Sequence, residues 1–165
     1  MVLYPEEFKC SRSLRKTLRN GPYTTRLDHD FGAIIRACAA PRRGGADTWL
    51  NEDMIAAYKH LHDLGFGHCI GTYVADHLAG GLYGIQLGGV FFGESMFSLR
   101  QDASKVALAR LVEECRMRNI QLIDCQVESA HLESLGAREV SRNRFSALLE
   151  RYARREPCGR WTAAA

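Results

Sequence analysis

The 165-residue sequence predicts a single α+β domain built on a mixed, mainly antiparallel sheet flanked by helices. Residues 68 to 97 carry runs of β-branched and aromatic residues broken by two turn signals, the pattern of two successive hairpins. A long segment of helical apolar period follows at once, and after it the short apolar run IQLIDCQV (120–127). A meander, then a helix, then a returning strand makes the sheet mixed rather than purely antiparallel.

The elements follow in order. SRSLRKTLR (11–19) reads as a short helix capped by Ser11 or Ser13, and Gly21-Pro22 ends it. YTTRL (23–27) reads as a strand. Asp28 then starts a helix through Ala39, with Phe31, Ile34, Ile35 and Cys38 on its apolar side. The loop PRRGGADT (41–48) precedes a helix capped by Asn51 and ended by Gly65, with Met54, Ile55, Tyr58 and Leu61 at helical spacing. The meander comprises HCIGTYVA, a turn at Asp76-His77, LAGGLYGIQL, a turn at Gly88-Gly89, and VFFGESMF. Asp102 opens a helix over about 103–118. The run 120–127 reads as a buried strand, HLESLG (131–136) as a helical turn and AREV as a strand. A helix from Ser141 to about Arg155 closes the domain (1–155), and the tail 156–165 reads as flexible. This order resembles the Gcn5-related N-acetyltransferase fold, which by itself assigns no function.

Composition narrows the classes. No run of 18 apolar residues and no basic-then-apolar leader is present, so the expectation is a cytoplasmic protein with no membrane partner. The six cysteines form no C-x-x-C pair and read as reduced thiols. His60, His62 and His68 lie near Cys69, but His60 and His62 are two apart on a helix and face different ways, so no metal site is expected. Residues 1 to 43 hold nine Lys/Arg against four Asp/Glu, whereas the remainder holds thirteen against fifteen. A phosphate-bearing partner for the N-terminal third explains that asymmetry, and so does an ordinary solvated helix face.

Three segments carry chemistry. In FFGESMFS (91–98), Glu94 interrupts an apolar strand, where a carboxylate is costly to bury without a partner; simple alternation could equally turn it to solvent. In LIDCQV (122–127), Asp124 and Gln126 occupy alternate strand positions and project on one face, as a built site or a sheet edge would have them. In HLESLGARE, Gly136 fits a helix end leading into a strand.

DTW, GGLYG, FFGESMFS, DASKVALARLV, LIDCQV and HLESLGARE, in this order and spacing, resemble the leucyl/phenylalanyl-tRNA–protein transferases, and SRSLRKTLR resembles the same family's upstream segment. The resemblance runs from about Tyr4 to about Leu149. It implies transfer of leucine or phenylalanine from aminoacyl-tRNA to a protein N-terminal arginine or lysine, which marks that protein for degradation. No cofactor is implied. Asp124, Gln126 and Glu94 would line the reaction site. Leu82, Phe91, Gly93, Met96, Leu108, Leu111 and Ile123 would hold the donor side chain, although each also suits ordinary core. Trp49 would stack on the terminal adenine, beside Tyr58 and Ser129. Arg12, Arg15, Lys16, Arg19, Arg42 and Arg43 would meet phosphates.

Two departures matter. Coenzyme A users place a Gly-rich turn before the long helix, so that its backbone N–H groups hold the pyrophosphate. Here the junction is SLRQDASK (98–105), with no glycine and with Asp102 at the helix start, which disfavours an acyl-coenzyme A N-acyltransferase. Family members also usually carry a preceding domain with GLLAFGGDL-like and WWSPDPR-like segments, absent from these 165 residues. A short homologue using a small-molecule amine as acceptor is therefore the alternative expectation. A non-catalytic RNA-end or N-degron binding module is the other, and joint retention of Glu94, Asp124 and Gln126 weighs against it.

Overall fold

The computed structural model describes residues 1–40, 50–153 and 159–162. The two hairpins form where turn chemistry allows. Strands β3 (Gly67–Val74) and β4 (His77–Leu87) are joined by Ala75 and Asp76, both at left-handed φ (46° and 65°), one residue earlier than the expected turn. Gly88, at φ 57°, and Gly89 turn β4 into β5 (Val90–Ser98). β2 (Thr24–Leu27) lies antiparallel on the far side of β3.

A helix must intervene before a strand can return parallel to β5. That helix is α4 (Ala103–Met117), and β6 (Leu122–Asp124) pairs parallel to β5. β1 (Val2–Leu3), not anticipated from sequence, adds antiparallel to β6 and closes a six-stranded sheet of order β1-β6-β5-β4-β3-β2.

Side chains alternate across the sheet, and each face has its own cover. On one face, Leu108, Leu111, Val112 and Cys115 of α4 pack with Leu82, Phe91 and Ile123. On the other, α2 (Phe31–Ala39) and α3 (Glu52–Asp63) pack Phe31, Ile34, Ile35 and Ile55 with Tyr83. α6 (Arg142–Tyr152) brings Leu148 and Phe145 to Val2, Val90 and Leu122. α1 (Arg12–Asn20) buries only Leu14 and leaves its basic residues outside. The short α5 (Ala130–Ser134) follows β6.

Several expectations are corrected. Helix α2 starts at Phe31 because Asp30 is its cap, accepting from Ala33 N at 2.9 Å. Asp28 instead takes left-handed φ (45°) and turns its carboxylate inward, accepting from Cys69 N (2.8 Å) and His68 Nδ1 (2.9 Å). Asp102 also stands at left-handed φ (60°) and makes no side-chain cap bond, binding Lys105 Nζ at 2.7 Å instead. AREV forms no strand, only a bridge of Arg138 to Val2. The run 120–127 is strand only over 122–124. In the tail expected to be flexible, Trp161 is 1% exposed and belongs to the core beneath α4.

One glycine is fixed by close approach. A Cβ on Gly84 would stand 2.2 Å from the Phe92 carbonyl oxygen and 2.6 Å from the Phe91 ring. The backbone oxygen cannot yield without breaking the β4–β5 ladder. Gly84→Ala is expected to lower unfolding free energy by roughly 2–3 kcal/mol, at the upper end of overpacking costs, as measured by urea denaturation.

Candidate active site

The site arises where two neighbouring strands part. The parallel pairing of β5 with β6 covers only Val90, Phe91 and Phe92 against Leu122, Ile123 and Asp124, while β5 continues to Ser98. Beyond Asp124 the chain leaves the sheet, and a cleft of about 440 Å³ opens between the diverging segments. Gly93 stands at the parting point, where an added Cβ would come 3.4 Å from the Asp124 carbonyl oxygen. Gly93 itself borders the cleft.

A β-bulge aims the second carboxylate. Tyr83 pairs with Ser95 and Gly84 with Gly93, so Glu94 is the extra residue of β5. Neither sequence alternative, a buried carboxylate in a regular strand or one alternating to solvent, describes that position. The bulge also resets alternation, so Phe91 and Met96, five apart, both pack with the α4-side core. Glu94 lines the cleft and accepts from the Tyr58 hydroxyl of α3 at 2.8 Å. Burial, then the bond to Glu94 and its charge, push the Tyr58 phenol well above its ordinary range.

Asp124 ends β6 and is 8% exposed. Its Oδ1 accepts the backbone N–H of Gln126 at 2.8 Å, which fixes Gln126 at φ 60° in a left-handed turn. Gln126 is therefore not on the strand with Asp124, yet the turn brings both to the same cleft. The expected alternation was the wrong geometry for the right juxtaposition. Ser129 caps α5 through Leu132 N (3.4 Å) and borders the cleft as well.

The apolar side of the cleft consists of Leu82, Phe91, Gly93, Met96, Leu108, Leu111 and Ile123, the seven positions proposed for a donor side chain. Tyr58 reaches the site through Glu94. Arg12, Arg15, Lys16 and Arg19 line a separate groove on the outer side of α1. Trp49, Arg42 and Arg43 lie outside the described residues. Sequence reasoning missed Tyr83, Ser95, Cys125, Val127, His131 and Leu132, which also border the cleft. Tyr83 is fully buried, but its hydroxyl has no hydrogen-bond partner among the described residues. The His131 pKa is lowered by burial and by Lys105, with Asp102 opposing, which favours the neutral imidazole. In the sequence His131 stood out only as the first residue of the HLESLG turn.

Comparison with known proteins agrees with the motifs. The family model described as leucyl/phenylalanyl-tRNA protein transferase matches residues 2–150. A leucyl/phenylalanyl-tRNA–protein transferase of Nitrosospira multiformis is 52% identical over 91% of this chain and 65% of its own length. Those of Chromobacterium violaceum and Methylibium petroleiphilum are 49% and 53% identical, over 93% and 98% of this chain and 66% and 63% of their own lengths. The chain thus spans just under two thirds of these relatives. Among solved structures, an aminoglycoside acetyltransferase from an uncultured soil sample superposes with a TM-score of 0.54 at 11% identity, covering 74% of this chain and 93% of that one. A Clostridium difficile protein described as a possible acetyltransferase gives 0.54 at 18%, over 73% and 93%. At such identities these two establish the acetyltransferase-like fold alone.

The electrostatics of the cleft can be read at Cys125. Burial first, then the adjacent Asp124 charge, push its thiol up to about 11. A raised pKa keeps the thiol protonated, so at pH 8 iodoacetamide should modify Cys125 roughly a hundred-fold more slowly than an exposed thiol, with the rate climbing toward pH 11. Peptide mapping by mass spectrometry measures this, and Asp124→Asn should speed the reaction by removing the neighbouring charge.

Proposed function

The chain belongs to the leucyl/phenylalanyl-tRNA–protein transferase family, and from that premise we propose that it moves leucine or phenylalanine from the 3′ end of an aminoacyl-tRNA onto an amino group. By the same premise the acceptor is the N-terminal arginine or lysine of a protein. The observation that carries this reading is the union of an apolar floor with Asp124, Gln126 and Glu94 in one cleft. An apolar side chain and a reacting ester need those two surfaces side by side.

The reaction is aminolysis. The acceptor nitrogen attacks the ester carbonyl carbon, a C–N bond forms, the C–O bond to the ribose breaks, and a proton passes from the amine to the leaving ribose oxygen. A free α-amino group has a pKa of roughly 8, so part of it is already neutral near pH 7. Catalysis then rests mainly on positioning. One Asp124 oxygen is committed to the Gln126 backbone, which leaves the other to orient the amine and share its proton. The Gln126 amide is a poor base, so its carbonyl orients rather than deprotonates. Glu94 keeps one oxygen beyond its bond from Tyr58 and offers a negative charge to a cationic acceptor.

An acyl-coenzyme A donor is disfavoured by Asp102. Its carboxylate stands at the start of α4, where the helix dipole would otherwise favour a pyrophosphate, and there it is already paired with Lys105. The basic side of α1 suits a nucleic-acid backbone instead.

The decisive measurement is transfer of labelled leucine from Leu-tRNA to an arginine-starting peptide, beside a panel of small amines. Peptide transfer is expected, and no transfer to any acceptor would overturn the reading. In that assay Asp124→Asn should lower kcat by about 100-fold with tRNA affinity within about two-fold; equal loss of both would remove Asp124 from the reaction. Replacing Arg12, Arg15, Lys16 and Arg19 by alanine should instead weaken tRNA binding and flatten its dependence on salt, as filter binding across a salt series would record.

A further inference from the structure

Trp161 lies beyond residues 2–150, the stretch matched by the family model, and it does not border the cleft. It is nevertheless among the most tightly held side chains of the molecule. Its indole stacks on His68 with ring centroids 4.5 Å apart and planes 11° from parallel. Its backbone N–H donates to Asp28 Oδ2 at 2.7 Å. Its Nε1–H donates to Gln86 Oε1 at 2.9 Å, and Gln86 is anchored in turn by its Nε2 donating to the Gly88 carbonyl at 3.0 Å. The Arg118 guanidinium carbon lies 5.1 Å from the indole centroid. Asp28, pinned by His68 and Cys69, is the anchor that explains its inward turn.

What the indole does there is set by its neighbour Phe91. The two rings stand 5.6 Å apart at 38°. Phe91 borders the cleft, so its ring is shared between the cleft and the tryptophan. Elsewhere the ring is closed in by β4, where a Cβ on Gly84 would meet it at 2.6 Å. A ring backed by β4 on one side and pressed from the cleft on another gives way toward Trp161. From this we propose that Trp161 is a positioning residue of the donor pocket: by backing Phe91 it fixes the pocket's depth, and through depth the preference between leucine and phenylalanine donors.

The inference rests on the aminoacyl-transfer reading above. Its physical basis is that a closely packed wall transmits a void behind it. Deleting the indole leaves space that Phe91 can enter, and the vacated volume joins the cleft. A larger donor side chain then gains contact while a smaller one loses its fit. A tryptophan that merely stabilised the fold would lower activity with both donors alike.

The test uses two donors and two readouts on the full chain. The readouts are kcat/KM with Leu-tRNA and Phe-tRNA, and dissociation constants for the hydrolysis-resistant 3′-amide analogues leucyl- and phenylalanyl-3′-aminoadenosine. Trp161→Ala is expected to move the phenylalanine-to-leucine ratio upward by about ten-fold, the scale of a one-methylene change in a hydrophobic pocket. Millimolar indole should refill the void and return the ratio toward its starting value. Trp161→Phe, which keeps a ring against His68, should move it the same way by about three-fold, and it decides the matter if Trp161→Ala does not fold. A folded variant whose ratio stays within about two-fold overturns the proposal, as does a shift that favours leucine. If the unsubstituted chain binds the analogues but transfers neither donor, the transfer reading fails while the affinity ratio still tests the pocket. If it binds neither analogue, both fail.

Discussion

Everything distinctive about this site follows from a parallel strand pair that is only three residues long. β5 and β6 share hydrogen bonds from Val90 to Phe92 and then separate, because Asp124 spends its carboxylate on the Gln126 backbone and turns the chain away. Two strands that stop pairing inside a sheet leave backbone polar groups facing one another across a gap, and such a gap is costly unless a ligand or water uses it. The rest of the architecture supports that opening. α4 and strands β4 to β6 supply its apolar floor, α5 its rim, and the β-bulge at Glu94 turns a second carboxylate into it.

The two carboxylates are held by opposite means. Asp124 is nearly buried and is fixed through a backbone amide of its own turn, a local bond that forms with the strand end. Glu94 is fixed across the sheet by a phenol from α3, thirty-six residues away in sequence. A local anchor tolerates movement of the surrounding elements, whereas a long-range one couples the site to the seating of α3. The Asp124 end of the cleft is therefore the more autonomous, and the Glu94 end answers to the helix layer on the sheet's other face.

Much of this was legible in sequence, and what was not has identifiable causes. The hairpins, α4 and α6 follow from periodicity and turn residues, which act locally. The motif resemblance gathered Asp124, Gln126, Glu94 and the apolar floor, all of which border the one cleft. β1 was illegible because two residues carry no period; only the partner strand defines it. The bulge at Glu94 was hidden because alternation in FFGESMFS looks regular until the register with β4 is known. Asp28 resembled a helix start because its role, to receive His68, Cys69 and Trp161, depends on residues forty and more positions away. The tail was misread for the same reason: GRW between polar and small residues has no local signature of burial.

Trp161 also separates two meanings of a domain boundary. The family model stops at residue 150, but the hydrophobic core continues to Trp161, whose indole is seated over His68. Anyone trimming the chain at residue 150, or fusing a carrier close behind it, would be cutting into the hydrophobic core rather than into spare sequence.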